Sequence, residues 1–118
     1  MLFIKNAKIL TMTGTNYDKG FVCCEGDKIK AVGEMNSMPR VSGSDDVIDA
    51  KGMYLLPGLV DSHCHVGMVE DAVGFEGDDV NEMTDPATPQ LRAIDGIYHA
   101  DRAFTEAREN GVTTVVTG

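Results

Sequence analysis

The stretch Pro57-Gly58-Leu59-Val60-Asp61-Ser62-His63-Cys64-His65 constrains this chain more than any other. An apolar run turns sharply polar and ends in two imidazoles separated by one residue. Successive side chains on a strand point to opposite faces. Read as one strand, residues 58–66 place Leu59, Asp61, His63 and His65 on one side and Val60, Ser62, Cys64 and Val66 on the other. The apolar residues at its start predict a strand buried for most of its length.

Upstream of Pro57 the chain is a string of short strand candidates. Residues 2–10 are strand-forming around a hairpin or kink at Asn6 and Ala7. Residues 20–34 read as two strands joined by a tight turn at Glu25-Gly26-Asp27-Lys28. In the second of these, Ile29, Ala31 and Gly33 share one face, with Lys28, Lys30 and Val32 on the other. Residues 35–46 are rich in Ser, Gly, Pro and Asp and read as a loop. Short strands at 47–50 and 53–56 flank Lys51-Gly52. This is the composition of a small sandwich or open barrel over residues 1–56.

Downstream the pattern changes. Residues 67–90 carry Glu70, Asp71, Glu76, Asp78, Asp79, Glu82 and Asp85 without one Lys or Arg. An irregular connection of that length is uncommon and marks either a functional loop, here a lid over the strand ends, or solvated chain. Asp78-Asp79-Val80-Asn81-Glu82 lacks the ligand spacing and central glycine of a calcium loop. Ala100, Ala103, Phe104 and Ala107 then have the spacing of one helix face, with Asp101, Arg102, Thr105, Glu106, Arg108 and Glu109 opposite. Asn110-Gly111 stops the helix, and residues 112–117 are almost wholly β-branched. Strand, long loop, helix and strand make one βαβ unit with parallel strands over residues 57–118.

A net charge of −9 argues against nucleic acid or an anionic membrane as partner. The start, MLFIKNAKIL, has no secretory pattern, and no apolar run approaches the roughly 20 residues of a membrane span. The chain therefore reads as cytoplasmic. Three cysteines cannot make a complete disulfide framework. Cys23 and Cys24, being adjacent, face opposite ways on a strand and read as reduced structural thiols.

Alternate residues on a strand lie roughly 6.6 Å apart and point the same way, so His63 and His65 can converge on one ion. Asp61 extends that face as an outer partner able to orient an imidazole. The histidines sit at the C-terminal end of their strand, where parallel barrels build active sites. A divalent ion there lowers the pKa of bound water to about 7 and polarises a carbonyl. The plainer reading is a polar strand end with surface histidines. Two histidines are not a site, because a catalytic metal takes three or more protein ligands. His99 has no partner at useful spacing and reads as a surface residue before the helix. Imidazoles suit zinc, iron, nickel or copper alike.

Short strands, the turn Ala50-Lys51-Gly52 and then LLPGLVDSHCHV resemble the beginning of the amidohydrolase superfamily. The helix ending ENGVTTVV is similar to that superfamily's first barrel helix and second barrel strand. The acidic loop and overall phrasing are most similar to imidazolonepropionase-related members. The resemblance implies a (β/α)8 barrel of the TIM type, incomplete in this chain, beside a small β-sandwich built from both chain ends. It implies one or two divalent ions, zinc foremost, with iron, nickel or manganese as other choices, and a small-molecule substrate. It makes His63 and His65 the metal ligands of the first strand, with Asp61 behind them. The remaining ligands and the proton-shuttling aspartate come from later strands, so no catalytic residue is assigned within residues 1–118.

The expected activity is metal-dependent hydrolysis of non-peptide, cyclic C–N bonds, with a dipeptidase or a deaminase as alternatives inside the family. A full barrel takes about 250 residues, so the piece alone is expected to be inactive. Its open sheet edges are expected to favour self-association. A reading from another class is a non-catalytic, β-rich module that binds a metal or a partner.

Overall fold

Ile4 is an even-numbered residue and Ala7 and Ile9 are odd-numbered, yet all three pack into one apolar cluster with Val22 and Ala50. On an uninterrupted strand that is impossible, because facing alternates with strict period two. The computed structural model, which describes residues 1–70 and 73–118, resolves the conflict with a bulge. Residues Leu2–Leu10 form one strand, β1, in which Asn6 adopts φ 57°. Pairing with the next strand slips between Ile4 and Ala7. One extra residue changes the phase, and asparagine is among the few non-glycine residues that tolerate the left-handed region. The expected hairpin or kink at Asn6 and Ala7 is thus a kink, made by a bulge.

The chain divides into two compact units, Met1–Pro57 and Gly58–Gly118. In the first, β1 lies between β2 (Asn16–Glu25) and β4 (Asp46–Asp49), and β3 (Lys28–Glu34) flanks β2. The pairs β1–β2 and β2–β3 are antiparallel, whereas β4 and β5 (Tyr54–Leu55) both run parallel to β1. Between β4 and β5 the chain makes a tight turn closed by Met53 N–H donating to the Ala50 carbonyl at 2.8 Å. Both central residues, Lys51 (φ 49°) and Gly52 (φ 84°), are left-handed. Gly52 N–H donates to the Asn6 carbonyl at 2.7 Å. Turn and bulge therefore sit against each other.

Both faces of this sheet carry apolar side chains. Phe3, Phe21 and Cys23 form a second buried cluster, covered by Ala31, Met35 and Met38. Met35–Ser37, expected as loop, is a short 3-10 turn that brings the two methionines there. Cys24 packs on the opposite cluster from Cys23, and both are free thiols. β2 starts at Asn16 rather than at residue 20. A second slip, between Ala7 and Ile9, lets Tyr17 join the Val22 face. In β3 a slip between Cys23 and Cys24 pairs Ile29 with Cys24 and Ala31 with Cys23. Ile29 and Ala31 therefore do not share a face as simple alternation predicts, and Ile29 is exposed.

In the second unit, β6 (Leu59–Cys64) and β7 (Val112–Thr117) pair in parallel. Between them lie a one-turn helix, α1 (Ala93–Gly96), and α2 (Arg102–Glu109), which packs on β7. Ala103, Phe104 and Ala107 are half-buried on one side of α2. The helix begins two residues later than Ala100, because Asp101 caps it. The Asp101 carboxylate accepts from Ala103 N–H at 2.9 Å and is 5% exposed, not part of a solvated face.

The acidic stretch is more ordered than its composition suggests. Asp71 lies outside the described residues. Around it, Val69 bridges Asp78, Glu70 N–H donates to the Gly77 carbonyl at 2.9 Å, and Asp79 N–H donates to the Met68 carbonyl at 2.8 Å. Met68 is buried beneath this closure. β6 departs from expectation in the other direction. Leu59 and Val60 are 51% and 64% exposed. Its one strand neighbour among the described residues is β7, and a single neighbour cannot cover the faces of a strand.

Candidate metal centre

His63 lies on β6, and His65 lies one residue beyond its end. The ring centroids are 5.3 Å apart, edge to face at 77°. This is the approach that i, i+2 spacing along a strand allows. Pairing slips between Asp61 and Cys64, where Ser62 and His63 stand opposite Val116 alone. At this slip His63 N–H donates to the Asp61 carboxylate at 3.2 Å. Asp61 thus meets the backbone of His63 rather than an imidazole.

The chain turns immediately after His65, with Met68 N–H donating to the His65 carbonyl at 2.9 Å. Gly67 adopts φ 83° in this turn. A Cβ there would stand 2.7 Å from the Phe104 ring, so glycine is required for space as well as for backbone conformation. His65 Nδ1 lies 2.8 Å from the Gly118 carbonyl oxygen. A carbonyl only accepts, so Nδ1 carries the proton and the lone pair of neutral His65 sits on Nε2. Such a contact fixes both ring orientation and the nitrogen left for a metal.

The donor set therefore fits two ligand positions of a divalent transition ion. Among the described residues, no three His, Cys, Asp or Glu side chains come together to complete it. His99 is exposed between α1 and α2, with its ring 6.3 Å from Tyr98 and away from the pair by chain position.

A cavity of about 450 Å³ lies in the same unit, lined by Met68, Asp79, Glu82, Leu91, Arg92 and Gly118 among others. Gly118 connects it to His65. Arg92 is engaged by Asp95 through two hydrogen bonds of 3.0 and 2.8 Å. The Thr84 hydroxyl and N–H both donate to the Glu82 carboxylate, holding its pKa below the usual range. Among the charged residues of the lining, Asp79, Glu82 and Asp95 thus outnumber Arg92. Sequence reasoning missed the roles of Gly118, Thr117 and Asp101. Of these only Asp101 carried a signal, as a cap-forming residue directly ahead of an apolar-periodic segment.

A scan against protein-family models gives no match. The chain is 36% identical over 119 residues to a 5-methylthioadenosine/S-adenosylhomocysteine deaminase of Moorella thermoacetica, which covers 96% of the chain and 27% of that protein. It is 45% identical over 60 residues to a dihydroorotase of a Wolbachia species, covering 51% of the chain and 13% of the relative. Among solved structures, an amidohydrolase from Thermotoga maritima superposes with a TM-score of 0.84 at 37% identity, over 100% of this chain and 30% of the other. The chain therefore spans less than a third of the length of these relatives. Relatives in sequence and in fold agree, and the chain belongs to the amidohydrolase superfamily.

Proposed function

We propose that this chain is the opening part of a metal-dependent hydrolase that cleaves non-peptide, cyclic C–N bonds, with His63 and His65 as two of the metal ligands. The observation that carries the proposal is the imidazole pair at the end of a parallel strand, with His65 Nδ1 already engaged by Gly118. We take residues 1–56 as the sandwich portion and residues 57–118 as the start of a (β/α)8 barrel. The phrasing of the acidic stretch supports the imidazolonepropionase-related branch. Free thiols at Cys23, Cys24 and Cys64 support a reducing compartment, the cytoplasm.

When bound, a divalent ion, zinc ahead of iron, nickel or manganese, supplies an acidified water and polarises the bond to be cleaved. His63 and His65 hold it through ring nitrogens. The Gly118 carbonyl keeps His65 Nδ1 protonated and turns Nε2 outward. Asp61 holds the backbone at His63. The loop carrying Asp79 and Glu82 walls the neighbouring cavity and limits what enters. The proton-transfer residue belongs to strands outside these 118 residues, so the isolated chain is expected to be inactive.

A deaminase is the second reading, favoured by the relative that matches 96% of the chain. Zinc content of the isolated chain and of a His63→Ala, His65→Ala variant tests the ligands. The variant should lose most bound zinc, and equal content in both removes these side chains from the site. With the complete enzyme, ring opening of cyclic amides supports the first activity. Ammonia release from adenine nucleosides without ring opening supports the second.

A further inference from the structure

Four consecutive carbonyls follow the strand end, and each is bonded to a different partner. Met68 N–H reaches His65 O, the Thr117 hydroxyl reaches Val66 O, Tyr98 N–H reaches Gly67 O and Asp79 N–H reaches Met68 O, all within 2.8–2.9 Å. Three of these donors are backbone amides. The Thr117 hydroxyl is the one side chain among them.

The β6–β7 ladder ends at the Cys64–Thr117 pair. Past it β6 turns away, and no β7 amide is paired with Val66. The Thr117 hydroxyl carries the ladder one step further with its single proton. It therefore clamps the peptide directly after His65, while the next residue, Gly118, holds the His65 ring at 2.8 Å. On the other side Phe104 fills the space beside Gly67.

We propose that Thr117 is a positioning residue for His65, acting through the Val66 carbonyl, so that backbone and imidazole are set by the last residue of β7 and the one that follows it. This rests on the reading of His65 as a metal ligand. Valine has the shape of threonine without the donor, so Thr117→Val isolates the hydroxyl.

The test is zinc affinity of the complete enzyme, measured by competition with a chelating dye, alongside the thermal midpoint of the zinc-free protein. Thr117→Val should weaken zinc binding about tenfold, the lower end of what loss of an outer partner costs. Thr117→Ser should restore it, and the zinc-free midpoint should stay close to that of the parent. A lowered zinc-free midpoint with unchanged zinc affinity would mean a purely structural role and overturns the proposal. If Thr117→Val does not fold, Thr117→Ala takes its place with the same criteria. His65→Ala separates the two levels. If it binds zinc like the parent, the ligand reading itself fails. If it loses zinc while Thr117→Val does not, only the positioning role is lost.

Discussion

Asn6 does two jobs, one with its backbone and one with its side chain. Its backbone makes the phase change in β1, and its Nδ2 donates to the Asp49 carboxylate at 3.0 Å. That bond, followed by one from Lys51 N–H at 3.0 Å, lowers the Asp49 pKa below its ordinary value. A carboxylate with a lowered folded-state pKa stabilises the fold above the unfolded value of about 4 and loses that contribution as pH falls through the folded value. Asn6→Gly keeps the left-handed backbone and removes the donor. We expect the Asp49 carboxyl of this variant to titrate closer to pH 4 in an NMR titration. Its unfolding midpoint in urea should fall less steeply between pH 4 and pH 2 than that of the parent. Parallel curves would show that the hydrogen bond carries no pH dependence.

At the level of elements, the decisive quantity is facing. Inserting one residue between Asn6 and Ala7 would send Ala7 and Ile9 to the face opposite Ile4. Two members of the buried cluster would be exchanged for Lys8, a loss of about 3–5 kcal/mol by comparison with core truncations and a large part of a small domain's stability. Denaturant unfolding should register this as loss of a cooperative transition, whereas Asn6→Gly stays within about 1 kcal/mol of the parent. Much of the fold was legible. The tight turn at residues 25–28, the two short strands flanking Lys51-Gly52 and the β-branched last strand followed from period and turn chemistry. The kink at Asn6 was foreseen, and what escaped were the slips at Tyr17, Lys30 and Ser62-His63. A slip depends on how one strand's apolar residues meet its neighbour's, and a single strand's periodicity holds no such information. The histidine pair stands with its rings 5.3 Å apart, as i, i+2 spacing allows, and its role as a ligand pair is a proposal.

For the whole chain, charge and apolar exposure oppose each other. Leu59, Val60, Phe75, Met83 and Val116 are all more than half exposed, a surface of the kind that associates. The net charge of −9 keeps copies apart at low ionic strength. The isolated 118-residue chain should therefore shift from monomer toward oligomer as salt is raised, in sedimentation velocity at tens of micromolar. It should also bind an apolar dye, and Val60→Lys should diminish both effects. A strictly monomeric, dye-silent chain at high salt would mean that these side chains are covered in solution. The left-handed asparagine also governs how distant relatives are to be compared. Between residues 2 and 10, a relative one residue shorter has lost the dislocation, and its inward and outward positions must be renumbered from that point. The gap belongs at Asn6, and shifting it along the strand would mistake core for surface.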